Sequence, residues 1–304
     1  MNNNTEMLFG GARLSPYDER DHRVKSSEDG SFPHSKELML WKPKTERDQG
    51  RTANCVAQAI AVWYATYYFY KAFAMERLKR EGLTQEEFEK EYVERLASVG
   101  AVYGNRRLTP KDNLPGMIVR EGMRLIQKYG DCPSSVWDSN AETPDIINMF
   151  EYHFNEFEKS LVPIKEYVSV AGKDEAMYLM DKYKLPLLGV MPAKYFNTFS
   201  DGYHAVAVYG YRDAGDGYFL INNSWGDSSD HIEVRRKDFI ELWGMIPKNY
   251  IEFSDVPDEH WANEAISLCA NEGLLKGYPD GSFAPDQPIT RAEMAVILQR
   301  MRQL

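Results

Sequence analysis

The stretch DQGRTANCVAQAIAVWYATYYFYKAFAM, Asp48–Met75, turns from a polar, glycine-containing loop into a long apolar run at Cys55. The run carries Gln58, Thr66 and Lys71 and is rich in tyrosine, so it reads as a helix buried in protein rather than in lipid. A cysteine at a helix start sits among free backbone amides and the positive end of the helix dipole, where a thiolate is favoured. A small buried residue opening a core helix would look the same.

Helical patterning continues to about Lys128, with starts at Leu83–Glu87 and over residues 116–129, the latter closed by Gly130. After Glu158 the pattern changes. Val162–Val170, Leu185–Met191, Ala205–Tyr211 and Tyr218–Asn222 are short strand-like runs separated by turn residues. Helices first and strands later predict an α+β fold with a helical half, an antiparallel β half and a cleft between them. His204 stands at the mouth of one strand and Asn223 at the end of the next. A hairpin-like pairing would let the asparagine carbonyl orient the imidazole.

The chain has 304 residues, enough for about two domains. Its 36 basic and 46 acidic residues give a net charge of −10, which argues against a nucleic-acid partner. Three cysteines, Cys55, Cys132 and Cys269, allow at most one internal bridge, and the last two read as packing residues. The six histidines, at 22, 34, 153, 204, 231 and 260, show no ligand spacing, so no metal or other cofactor is expected. Neither a secretory signal nor a membrane-spanning segment is expected.

Taken in order, Gln49, Cys55, His204 and Asn223 resemble the papain-like cysteine peptidases. Gln49 lies six residues before the cysteine, His204 follows it by 149, and Asn223-Ser-Trp225-Gly226 is the family's motif intact. The segment Lys128–Trp137 is similar to one in bacterial members. The resemblance spans roughly residues 15–250. It implies Cys55 as nucleophile with a lowered pKa, His204 as its proton partner, Asn223 as orienter, and Gln49 with the Cys55 N–H as oxyanion hole. Trp225 would shield the His–Asn bond. Thr52 stands where the family has a bridged cysteine, and Tyr203 precedes the histidine where a small residue is usual. The second Trp-Gly of the family is absent. These departures bear on pocket shape and substrate preference.

Residues 253–301 resemble an S-layer homology repeat: Phe253-Ser-Asp-Val, His260-Trp261-Ala, Gly277-Tyr-Pro-Asp-Gly-Ser-Phe and Ile289-Thr-Arg291-Ala-Glu-Met-Ala. Thr290 and Glu293 form a capping box in sequence. The resemblance implies a small all-α helix-loop-helix unit that attaches to cell-wall polysaccharide, with Arg291 facing acidic glycan and Trp261 either beside it or in the core. That family normally uses three repeats, and this chain has one. Either three chains associate as a homotrimer, or the repeat docks on its own catalytic domain and binds no glycan.

The expected organisation is residues 1–40 as an amino-terminal extension or short pro-segment that could block the cleft, 41–250 as the peptidase domain, and 251–304 as the repeat. The expected function is thiol-dependent hydrolysis of peptide or protein substrates. The alternatives are a non-catalytic envelope protein on the same fold, or a cysteine amidase or transpeptidase acting on wall peptides. The repeat points to a bacterial surface or extracellular location. Without a visible leader, a cytoplasmic or phage-associated protein is the other option.

Overall fold

The computed structural model describes residues 11–19, 21–26, 30–43, 47–50, 52–74, 97–106, 116–130, 164–196, 201–226, 232–248, 251–257, 260–271 and 273–302. The helix start at Leu83, the segment Asp131–Trp137 and Cys132 lie outside these.

The helical half holds α1 (Cys55–Ala74), α2 (Val99–Gly104) and α3 (Val119–Tyr129). Every residue of α1 from Cys55 to Ala65 is buried, Gln58 included, as its largely apolar run predicts. No described helix is long and apolar enough to cross a membrane. Ser98 caps α2 by accepting the Ala101 N–H at 3.0 Å. Gly122 lets α3 lie close on α1; a methyl group there would sit 3.0 Å from Ile60 Cδ1.

The β half is one sheet with strands β1 (Ala12–Arg13), β2 (Glu37–Met39), β3 (Met117–Ile118), β4 (Ile164–Ser169), β5 (Leu187–Pro192), β6 (Tyr203–Arg212), β7 (Tyr218–Asn222), β8 (Ile232–Arg235) and β9 (Glu241–Pro247). Its main order is β3-β1-β6-β5-β9-β4, with β2 and β7 also on β6 and β8 beyond β7. All pairings are antiparallel except β1 with β3. Alternation along the strands divides two cores. Leu188, Val190, Ala205 and Ala207 face α1 to α3, whereas Leu187, Met191, Val206 and Val208 face α4 (Lys173–Tyr183). A buried helix against one sheet face and an amphipathic helix against the other gives the expected α+β architecture.

One sequence expectation needs correction. Residues 116–129 are not helical throughout: Met117–Ile118 is a strand, because Gly116 takes φ +101° and turns the chain into the sheet before α3 begins. The described residues of the amino-terminal 40 also contribute to the sheet. Two of their segments are strands of the sheet.

The carboxy-terminal unit has α5 (Asn263–Asn271) and α6 (Arg291–Met301). Gly273 at φ +75° follows α5. The capping box forms as expected: Thr290 Oγ1 accepts the Glu293 N–H at 3.1 Å, and Glu293 accepts the Thr290 N–H at 2.8 Å. Asp255 ties the loop down by accepting from the Phe283 and Ala284 amides, both at 2.7 Å. α6 has no buried residue, and Met294, Leu298 and Met301 are about half exposed. Lys182 of α4 pairs with Glu252 at 2.8 Å at the junction.

Candidate active site

The fold brings Gln49, Cys55, His204 and Asn223 together, with Trp225 beside them. Cys55 is the first residue of α1, and the Ala205 N–H reaches its sulfur at 3.4 Å. His204 therefore lies next to the residue touching Cys55, although 149 positions separate them in the chain. The β6–β7 hairpin then carries Asn223 to the imidazole, with 2.6 Å between His204 Nε2 and Asn223 Oδ1.

This contact fixes the tautomer. Asn223 Oδ1 also accepts the Ser224 N–H at 2.7 Å, which identifies it as the carbonyl oxygen. His204 Nε2 must then carry the proton, and Nδ1 is left with a lone pair. Nδ1 is buried and has no hydrogen-bond partner among the described residues. Trp225 lies over the imidazole, ring centres 4.2 Å apart and planes tilted by 32°. Phe196 meets both rings edge-on at 5.4 and 5.7 Å. Two aromatic rings thus flank the imidazole.

Gln49 is held from two sides. The Gln49 N–H donates to Ser224 O at 2.8 Å, and Asp48 bridges to Trp225. The side chain accepts from Ser224 Oγ at 2.6 Å and donates to Thr52 O at 2.8 Å. An amide nitrogen has two protons, so one remains for a further acceptor. Ser224 thus links the orienting asparagine to the glutamine. It lies within the quoted motif, but only the pairing of residues 49 and 224 gives its hydroxyl this position.

The electrostatics differ from the sequence expectation. Cys55 and His204 are both fully buried. Burial raises the Cys55 thiol to about 11, against the lowering effect of backbone amides of Ala205, Gly11, Val56 and Cys55 itself. Burial lowers His204 to about 4, opposed by the Asn223 bond. At neutral pH this closed site holds a neutral thiol and a neutral imidazole, not the lowered-pKa thiol expected from the helix start. The helix terminus is present, but loss of water outweighs it.

The remaining candidates lie in the carboxy-terminal unit. Trp261 is 89% exposed, with His260 stacked on it at 5.9 Å, so it is not a core residue. Arg291 is exposed at the first position of α6. Cys269 is half-buried in α5. Among the described residues no group of three or more His, Cys, Asp or Glu could hold a metal ion.

These features define a papain-like fold, with helical and β halves meeting at a buried Cys–His–Asn cluster, followed by an S-layer homology domain. The structure is similar to xylellain, a cysteine protease from Xylella fastidiosa, with a TM-score of 0.55 and 18% identity over 79% of this chain and 97% of that one. It is also similar to recombinant stem bromelain precursor, with a TM-score of 0.51 and 15% identity over 75% and 76% of the two chains. The family model for the S-layer homology domain matches residues 252–295. Over 46 residues the chain is 56% identical to cell surface glycoprotein 1 of Acetivibrio thermocellus, and over 47 residues 51% identical to that organism's cellulosome-anchoring protein. Those matches cover 15% and 16% of this chain, and only 2% and 10% of the two relatives.

Proposed function

We propose that this protein is a thiol-dependent peptidase held at a bacterial envelope by its carboxy-terminal repeat. The observation that carries the reading is the tautomer of His204: Asn223 occupies Nε2–H, leaving a basic Nδ1 beside the Cys55 strand contact. With the groove opened to water and substrate, His204 Nδ1 takes the Cys55 proton and the sulfur attacks the scissile carbonyl. The oxyanion is held by the spare Gln49 amide proton and the Cys55 N–H. His204 gives its proton to the leaving amine, and water then hydrolyses the thioester with His204 as base. Trp225 and Phe196 keep water from the His204–Asn223 bond.

The S-layer homology domain supports attachment to wall polymers, as does its likeness to a cellulosome-anchoring protein. Trp261 and Arg291 supply an exposed ring and an exposed planar cation for an acidic glycan. The exposed Met294, Leu298 and Met301 stripe on α6 favours a homotrimer through the repeat over docking on the chain's own peptidase half. The activity test is hydrolysis of an unfolded protein substrate by wild type and Cys55→Ala. Loss of all cleavage in the variant is expected; full retention would refute the mechanism.

A further inference from the structure

The buried run Cys55–Ala65 of α1 holds one amide side chain, Gln58, three residues after the cysteine. The Gln58 N–H donates to the Asn54 carbonyl at 3.1 Å and closes the first turn of the helix. Its side chain reaches outside that turn, where Arg47 Nη1 donates to Gln58 Oε1 at 2.9 Å. A guanidinium only donates, so this bond fixes which end of the amide is the oxygen. The Nε2 end then faces Asn54 Oδ1 at 3.5 Å. A buried amide in an apolar stretch costs stability unless it is paired, and this one is paired with a charge.

Arg47 begins the loop that carries Gln49. Its carbonyl accepts the Gly226 N–H at 3.2 Å, Asp48 bridges to Trp225, and the Gln49 N–H donates to Ser224 O at 2.8 Å. Residues 47–49 thus run antiparallel to residues 224–226. These backbone bonds tie the loop to the segment after β7, not to α1. Between Gln49 and Cys55 the loop bonds to itself: Thr52 donates its N–H and its hydroxyl to Gln49 O at 3.0 and 2.6 Å. The Arg47–Gln58 bond joins this loop to α1 through side chains.

The pair lines a recess together with Ala205, Asn222, Asn223 and Ser224. Ala205 touches the Cys55 sulfur, Asn223 holds His204, and Ser224 holds Gln49. Arg47 and Gln58 therefore stand where the loop, the start of α1 and the β6–β7 hairpin meet.

We propose that Gln58 is a positioning residue: by receiving Arg47 it holds the Gln49 loop in register with the first turn of α1, so that the Gln49 side chain and the Cys55 N–H converge on one oxyanion. The proposal deepens the peptidase reading and rests on it for its kinetic consequence. Two donors on separate segments stabilise an oxyanion only when their spacing is fixed before the reaction. Misplacement by about 1 Å at such a site costs about a hundredfold in rate. A leucine at position 58 would fill similar space but take this acceptor from Arg47.

The test uses the full chain with Gln58→Leu, Arg47→Met, the double variant and Gln58→Glu. The measurements are kcat and KM for peptide hydrolysis, the affinity of a peptide aldehyde, the rate of Cys55 alkylation by iodoacetamide, and hydrogen exchange of the Gln49 N–H. The thiol adds across the aldehyde C=O, its proton passing to the oxygen, which then sits at the oxyanion position. Iodoacetamide tests the sulfur alone. Each single variant should lower kcat about 10- to 100-fold and weaken aldehyde binding by a similar factor, with KM and the alkylation rate unchanged. The double variant should be no slower than the worse single one, because both remove the same contact. Gln58→Glu, which keeps an oxygen for Arg47, should restore most of kcat. Full kcat in Gln58→Leu would overturn the assignment. So would kcat and alkylation falling together, which marks a loosened fold, or single effects that multiply in the double variant. Arg47→Met, at a half-buried position, decides the matter if Gln58→Leu fails to fold. A wild type that neither hydrolyses peptides nor binds the aldehyde sinks the peptidase reading instead. The exchange data then judge Gln58 alone: faster Gln49 exchange in Gln58→Leu upholds the loop register, and equal exchange in both proteins overturns it.

Discussion

Sealing His204 should make the fold sensitive to acid in a calculable way. An exposed histidine in the unfolded chain titrates near 6.5, whereas burial in the closed site lowers His204 to about 4. Between those values the unfolded chain binds a proton that the folded chain refuses. Stability contributed by the neutral ring is therefore fully present above pH 6.5 and declines as pH falls towards 4. From pH 7 to 4.5 the loss from this residue alone is about 2 kcal/mol, out of a maximum of about 3 kcal/mol for such a shift. The assay is denaturant unfolding of wild type and His204→Phe at both pH values, read as the difference between their pH dependences. Nitrogen NMR of the imidazole supplies the direct check: the Nε2–H tautomer should persist at pH 5 in the folded protein. A ring that titrates near 6.5 in the folded, closed chain would refute the claim that water is excluded from the site.

Two further outcomes follow from single side chains. Ser224→Ala removes the hydroxyl that holds Gln49 at 2.6 Å and leaves a buried amide oxygen unsatisfied, at a cost of about 1–3 kcal/mol. Peptide hydrolysis should fall about 10- to 100-fold, mainly in kcat, while the rate of Cys55 alkylation is unchanged. Trp261→Ala and Arg291→Gln should abolish sedimentation with purified wall polysaccharide yet shift the melting temperature little, because both residues are exposed. A large fall in melting temperature would instead assign them a packing role.

The cluster was legible because each of its members sits at a local landmark. Cys55 ends a loop and starts a helix, His204 opens a strand, and Asn223 closes the next. The capping box at Thr290 was readable for the same reason, since its partners are three residues apart. Other features had no local signature. Phe196 is an ordinary aromatic until β5 delivers it to the edge of His204 and Trp225. Met117–Ile118 looked like the first turn of a helix, and its pairing with β1 overrode that local preference. Trp261 fitted both a core and a surface, and its environment decided in favour of the surface.

Sequence alone determined the chemical groups and the α+β layout, because helix starts, strand periodicity and caps are short-range properties. Only tertiary structure decided their charge state and access. The Ala205–Cys55 contact joins residues 150 positions apart, and the Ala12–Tyr203 pair joins residues still farther apart. Desolvation depends on what folds over a group, not on what precedes it. The same cysteine at the same helix start is therefore a neutral, covered thiol here, whatever its local sequence favours.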